Sequence, residues 1–146
     1  MTSQPVEILL VEDNPSDVQL TLRALTKAKL ANSIHIARDG EEALNFLFGP
    51  NRDEARDLSK LHLVLLDLKL PKIDGLEVLQ AIRGSERTKM LPVVVLTSSN
   101  EQKDIIDSYN LGVNSYIQKP VDFEKFQHTV SQLGFYWLLI NEPPKF

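Results

Sequence analysis

Short continuous apolar runs alternate along the chain with longer stretches whose apolar positions recur every three or four residues. The runs "VEILLV" (6–11), "LHLVLLDL" (61–68) and "PVVVLTS" (92–98) predict buried strands, and "SIHIAR" (33–38) alternates like one. "NSYIQ" (114–118) predicts a short fifth strand. Between these runs, "NPSDVQLTLRALTKAKL", "DGEEALNFLF" (39–48), "DGLEVLQAIRG" (74–84) and "EQKDIIDSYNLG" (101–112) predict helices, and "DFEKFQHTVSQLGFYWLLI" (122–140) predicts a long closing one. Asn14 followed by Pro15 reads as an N-cap and a first helical residue. Asp74 and Glu77 have the spacing of a capping box.

Five strands regularly separated by helices call for an α/β domain with a parallel sheet covered on both faces. Right-handed crossovers leave few doubly wound orders, and 2-1-3-4-5, the flavodoxin-like arrangement, is a common five-stranded one. In that order strands 1, 3, 4 and 5 lie side by side, and ligands bind at their carboxyl ends. The length of 146 residues suits one domain, with a core over about 6–134 and a C-terminal extension over 135–146.

Composition narrows the function classes. Sixteen basic against 20 acidic residues give a net charge of −4, which argues against a nucleic-acid-binding face. The absence of cysteine excludes a disulfide framework and a thiolate metal site, and fits a reducing compartment. No apolar run approaches the roughly 18–20 residues of a membrane helix, so the expected setting is the cytoplasm, with no membrane partner. His35, His62 and His128 show no ligand spacing and read as structural or surface positions.

The candidate chemistry lies at the strand ends. An apolar strand that stops on an acid, as "LHLVLLD" stops on Asp67, is costly unless the carboxylate is solvated, paired or bound to a cation. Glu12 and Asp13 follow strand 1, Thr97 ends strand 4, and Lys119 then Pro120 follow strand 5. The predicted strand order therefore brings three carboxylates, a hydroxyl and an ammonium to one edge. Clustered carboxylates repel unless a cation intervenes, and a set of hard oxygens without histidine or cysteine suits Mg2+. Lys119 then serves as a partner for phosphate oxygens, Thr97 as a neutral donor, and the central Asp67 as the nucleophile that would form an acyl phosphate.

The set "LLVEDN", "VLLDLKLPKIDG", "VVVLTSS" and "YIQKP" resembles the receiver domains of two-component response regulators, over essentially the whole chain. The resemblance implies that Asp67 is the phosphoacceptor and that Glu12 and Asp13 are the acidic pair, Glu12 replacing a commoner Asp. It implies metal ligation by Asp13, Asp67 and the backbone carbonyl of Lys69, with Glu12 beside them. It makes Thr97 and Lys119 the sensors of the phosphoryl group, Tyr116 the switch aromatic, and Lys119–Pro120 a cis peptide that aims the lysine. "VEDNPSDVQLTLRAL", "IARDGEEALNFLFG" and the ending "FYWLLI" are further similar to the stand-alone regulators that partner bacterial phytochrome-type histidine kinases. That likeness implies a histidine-kinase donor, a downstream protein not named by the sequence, and no output domain, because little chain follows Pro120.

Each residue also has a duller explanation. Asp13 could cap a helix, Lys119 could be a surface lysine, Thr97 an ordinary strand residue, and Tyr116 half-buried packing. Gly75 reads as turn geometry alone. The duller readings need independent coincidences at four neighbouring strand ends. Three other functions compete with the leading one. A phosphatase of the haloacid-dehalogenase type wants a second Asp two residues after the first, where this chain has Lys69. A flavodoxin-like carrier would not place the acids of "VEDNPSD" against a flavin phosphate. A pseudo-receiver would keep the fold, acting as a binding and dimerisation module that is never phosphorylated. Near the C-terminus, Phe135, Tyr136, Trp137 and Leu138 spread apolar groups around the last helix, which predicts a homodimer. The alternative is a tail folded back on its own domain, and the segment 50–57 reads as an exposed loop.

Overall fold

A computed structural model describes residues 7–28, 33–49, 57–119, 122, 124–126 and 128. Its elements run β1 (Glu7–Val11), α1 (Pro15–Ala28), β2 (Ser33–Ala37), α2 (Gly40–Phe48), β3 (Leu61–Leu66), α3 (Gly75–Gly84), β4 (Val93–Thr97), α4 (Gln102–Asn110) and β5 (Ser115–Gln118). The strands form one parallel sheet in the order β2-β1-β3-β4-β5, as the sequence predicts. Glu124–Phe126 and His128 are helical within the predicted closing helix. The proposed extension 135–146, with Phe135, Tyr136, Trp137 and Leu138, lies outside the described residues, as does most of the 50–57 loop.

The continuous apolar runs are explained by burial on both faces of the sheet. Leu9 and Val11 of β1, Val64 and Leu66 of β3, and Val93 and Val95 of β4 point to one side, where they pack with Leu44 and Leu47 of α2 and Val78, Leu79 and Ile82 of α3. Ile8 and Leu10, Leu63 and Leu65, and Val94 and Leu96 point to the other, against Val18, Ala24 and Leu25 of α1 and the fully buried Phe126. Each such aliphatic side chain contributes about 1.5–3 kcal/mol on burial. The sheet is therefore a rigid floor, and the loops at its carboxyl edge are held from below.

Local chemistry sets where the helices begin. Asn14 Oδ1 accepts from the N–H groups of Ser16 (2.9 Å) and Asp17 (3.1 Å), and Pro15 opens α1 without needing a partner for a missing N–H. Asp39 caps α2 through Glu42 N–H at 2.8 Å. Asp74 caps α3, but its carboxylate accepts from Leu76 N–H at 3.3 Å rather than from the Glu77 N–H that a capping box uses.

Two glycines let the loops at this edge close on one another. A Cβ at Gly75 would collide with the Asp67 carbonyl oxygen and the Leu68 Cα, because Gly75 N–H donates to the Leu68 carbonyl at 3.0 Å. The start of α3 thus lies directly on the backbone of Asp67. A Cβ at Gly40 would likewise meet the Ile73 carbonyl. Nearby, Lys72 adopts φ 66°, a left-handed conformation that costs a lysine about 1–2 kcal/mol, and its ammonium reaches Asp39 (3.6 Å) and Glu41 (3.9 Å). The loop after β3 is thereby fastened to the start of α2.

Candidate functional site

The residues that follow β1, β3 and β5 meet at the carboxyl edge. Asp67 N–H continues the ladder to the Val11 carbonyl at 3.0 Å, and Glu12 N–H donates to the Ala37 carbonyl at 2.9 Å. Both side chains are consequently fixed at the end of the sheet, at 2% exposure for Glu12 and 4% for Asp67. Asp13, one residue further on, is exposed. A carboxylate oxygen from each of Glu12, Asp13 and Asp67 lies within 4.8 Å of the others; among the described residues this is the group of acids placed to share one cation. The donors are all hard oxygens, and the set fits a divalent ion of the magnesium type.

Lys119, just after β5, answers this acidity. Its Nζ lies 2.8 Å from Glu12 Oε1, 3.1 Å from Asp67 Oδ2 and 2.8 Å from Asp17 Oδ2. Burial alone would lower the Lys119 pKa, but hydrogen bonds to Asp17 and Glu12 and the charge of Asp67 raise it on balance, so the side chain is a permanent cation. Glu12 is pushed up to about 7, first by burial and then by the neighbouring Asp67 charge, against the hydrogen bonds it accepts from Lys119 and the Asn14 N–H. The two carboxylates thus crowd one ammonium, and an additional cation would relieve them.

Asp67 is gripped from both sides, since its Oδ1 accepts from the Lys69 N–H at 3.1 Å and its Oδ2 from Lys119. Thr97 is fully buried at the end of β4, where its hydroxyl accepts from the Ser99 N–H at 3.3 Å. Lys119 N–H donates to the Thr97 carbonyl at 2.8 Å, which binds the ends of β4 and β5 together. Tyr116 of β5 is half-buried against the core, and its hydroxyl donates to the Ser99 carbonyl at 2.9 Å. Burial raises the Tyr116 pKa and keeps it a neutral donor.

Glu12, Asp13, Asp67, Thr97 and Lys119, all named from sequence, therefore lie at one edge of the sheet, and Lys119 is in direct contact with both Glu12 and Asp67. Pro120 and its peptide bond lie outside the described residues. Two participants were not named from sequence. Asp17, in the first turn of α1, is the third carboxylate on Lys119. Asp104, in the first turn of α4, accepts from the Ser99 hydroxyl at 2.5 Å and pairs with Lys69 Nζ at 3.3 Å. An acid in the opening turn of a helix that starts at this edge is the signal that could have marked both.

A parallel 2-1-3-4-5 sheet with an acidic group and a lysine at its carboxyl edge is the arrangement of the receiver class of signalling proteins. Residues 8–131 match the family described as "Response regulator receiver domain", and the chain belongs to it. The chain is 44% identical over 140 residues to "Probable methanogenesis regulatory protein FilR2" of Methanothrix harundinacea, covering 96% of this chain and 88% of that protein. It is 38% identical to "Response regulator Rcp1" of Synechocystis, covering 94% of this chain and 92% of Rcp1. The Mn2+-bound crystal structure of Rcp1 superposes with a TM-score of 0.75 over 97% of this chain and all (100%) of that one. The bacteriophytochrome response regulator RtBRR superposes with a TM-score of 0.75 at 48% identity, covering 96% of this chain and 84% of that one. No helix among the described residues is long and apolar enough to cross a membrane.

Proposed function

We propose that this protein accepts a phosphoryl group on Asp67 from a histidine kinase of the phytochrome type and signals by altering the surface formed by α4, β5 and the final helix. The observation that carries the reading is the position of Asp67: buried at the end of a central strand, grouped with the carboxylates of Glu12 and Asp13 and ion-paired with Lys119. In the transfer, an Asp67 carboxylate oxygen attacks the phosphorus of a phosphohistidine. The new P–O bond forms as the P–N bond breaks, and the electron pair leaves on the imidazole nitrogen.

Mg2+ held by Glu12, Asp13, Asp67 and the Lys69 carbonyl would neutralise phosphoryl charge. Lys119 contributes a second positive charge, which exchanges carboxylate partners for phosphoryl oxygens. Thr97 offers its hydroxyl to the same group, and Tyr116, tied to the loop after Thr97, follows that loop when it moves. The phytochrome-type donor is supported by the likeness to RtBRR and by the "VEDNPSD" and "IARDGEEALNFLFG" segments. The reading further includes a cytoplasmic, homodimeric protein that passes its signal to a downstream protein and binds neither nucleic acid nor membrane.

The test is intact-mass spectrometry after incubation with acetyl phosphate, with and without Mg2+, beside an Asp67→Asn variant. The expected result is a Mg2+-dependent gain of one phosphoryl group that is absent from the variant and labile to hydroxylamine. No gain, under conditions that label a known receiver, would refute the reading and favour a binding module that is never phosphorylated.

A further inference from the structure

The side chain of Lys69 begins two residues from Asp67, and its backbone N–H already touches the Asp67 carboxylate. Its ammonium nevertheless turns to α4, where it lies 3.3 Å from the buried Asp104 and 4.0 Å from the exposed Glu101. Asp104 holds more than this one partner. It accepts from the Ser99 hydroxyl, while Ser99 N–H binds the Thr97 hydroxyl and the Ser99 carbonyl receives the Tyr116 hydroxyl. A single carboxylate therefore joins the loop after β3, which carries Asp67, to the loop after β4, which carries Thr97.

We propose that Asp104 is a positioning residue for phosphoryl transfer, which holds the Lys69 ammonium on α4 and so keeps a third cation away from the phosphoryl group. The inference rests on the reading of Asp67 as the phosphoacceptor. Lys69 is half-exposed and anchored beside Asp67, so release from Asp104 leaves its ammonium free to swing over the site. There it would stabilise the charge of both the phosphoryl donor and the transferred group. Asp104 carries its charge readily, because the Ser99 hydroxyl and Lys69 hold its pKa below the usual carboxylate value. The resting protein would thereby take a phosphoryl group more slowly than its residues allow, and the phosphorylated one would have Lys69 as a contested partner of Asp104.

Four full-length proteins test this: wild type, Asp104→Asn, Lys69→Met and the double variant. Each is treated with acetyl phosphate and Mg2+, and the initial labelling rate is read by intact mass. Asp104→Asn is expected to label about three- to five-fold faster, the scale of a partly exposed ion pair. The double variant is expected to label at the rate of Lys69→Met, because Asp104 acts only through the Lys69 ammonium. A gain that persists in the double variant would overturn the proposal, since Asp104 would then act without Lys69. So would an Asp104→Asn rate equal to or below that of wild type. If Asp104→Asn does not fold, the smaller Asp104→Ser, which also releases the Lys69 ammonium, takes its place alone and in the double variant, and the same two results would overturn the proposal. Wild type that takes no label defeats the Asp67 reading itself, and this inference with it.

Discussion

Asp67 and Lys119 are ion-paired at 3.1 Å, so the carboxylate proposed to attack phosphorus shares this ammonium with Glu12 and Asp17. The site is arranged for charge exchange and stores repulsion among its acids in the absence of a further cation. Removing one carboxylate should relieve that repulsion. Asp67→Asn keeps an oxygen able to accept from Lys119 and is expected to melt a few degrees higher than wild type without divalent ions, a gain on the order of 1 kcal/mol. Thermal melts in the presence of a chelator check this, and a lower Tm would show that the Asp67–Lys119 attraction outweighs the crowding.

The reverse substitution removes the cation. Lys119→Met leaves Glu12 and Asp67 buried without their ammonium, and breaking such a pair costs about 3–5 kcal/mol. Mg2+ should restore a larger share of stability to this variant than it adds to wild type, because the acid group then has no other counter-charge. Denaturant unfolding with and without Mg2+ measures both quantities. An equal Mg2+ effect in the two proteins would show that the ion does not sit on these acids.

Gly75 is required by close approach. A Cβ there meets the Asp67 carbonyl and the Leu68 Cα, both backbone atoms that cannot rotate away. Gly75→Ala should cost about 1–3 kcal/mol by overpacking, and should slow labelling because the backbone that must yield is that of Asp67. Unfolding and acetyl phosphate labelling of the same preparation separate the two effects. Wild-type behaviour in both would mean that α3 can shift away as a unit.

Arg83 offers a contrasting case, far from the chemistry. It donates from Nε to the Leu111 carbonyl (2.6 Å), from one terminal nitrogen to Lys89 (3.2 Å) and Leu91 (2.7 Å), and from the other to Gly112 (2.9 Å). One guanidinium thus satisfies carbonyls at the end of α4 and before β4, a geometry that lysine cannot reproduce. Arg83→Lys is expected to lose about 2 kcal/mol with an unchanged labelling rate in the folded protein. A labelling defect at full folding would show that the α4 end is coupled to the site.

The strand ends were legible in the sequence because apolar runs locate strands and strand order then places whatever follows them, which brought Glu12, Asp13, Asp67, Thr97 and Lys119 to one edge. The end of β3 was read two residues too long, at Leu68 instead of Leu66. Leu68 is buried like a strand residue but sits in the loop, where it packs among the core side chains under α3. Asp17 and Asp104 were missed: their place in the opening turn of a helix could mark them as acids at this edge, but not which lysine each one meets. Their roles depend on helix phase and on how far a lysine can reach across a loop, and neither leaves a period in the sequence. Asp74 was recognised as a cap, but its choice of Leu76 N–H over Glu77 N–H depends on a local backbone geometry that residue types do not specify.

Glu12 makes the protein's stability depend on pH in an unusual direction. Its pKa rises from 4.5 in the unfolded chain to about 7 in the fold, with burial as the main cause and the Asp67 charge adding to it. The folded state then binds a proton that the unfolded state has released, so the proton stabilises the fold. This contribution is fully present below pH 4.5 and is lost as the pH rises through about 7. Its ceiling is on the order of 3 kcal/mol. Without divalent ions, stability should therefore fall between about pH 5 and 8, whereas most carboxylates that are paired in the fold make stability rise with pH. Glu12→Gln, neutral throughout, should flatten this part of the profile. Urea unfolding at pH 5, 6, 7 and 8 with a chelator measures the slope, and an equally steep wild type and variant would assign the dependence to another group. Because a cation on Glu12 competes with that proton, Mg2+ should stabilise wild type more at pH 8 than at pH 5, and the difference should shrink in Glu12→Gln.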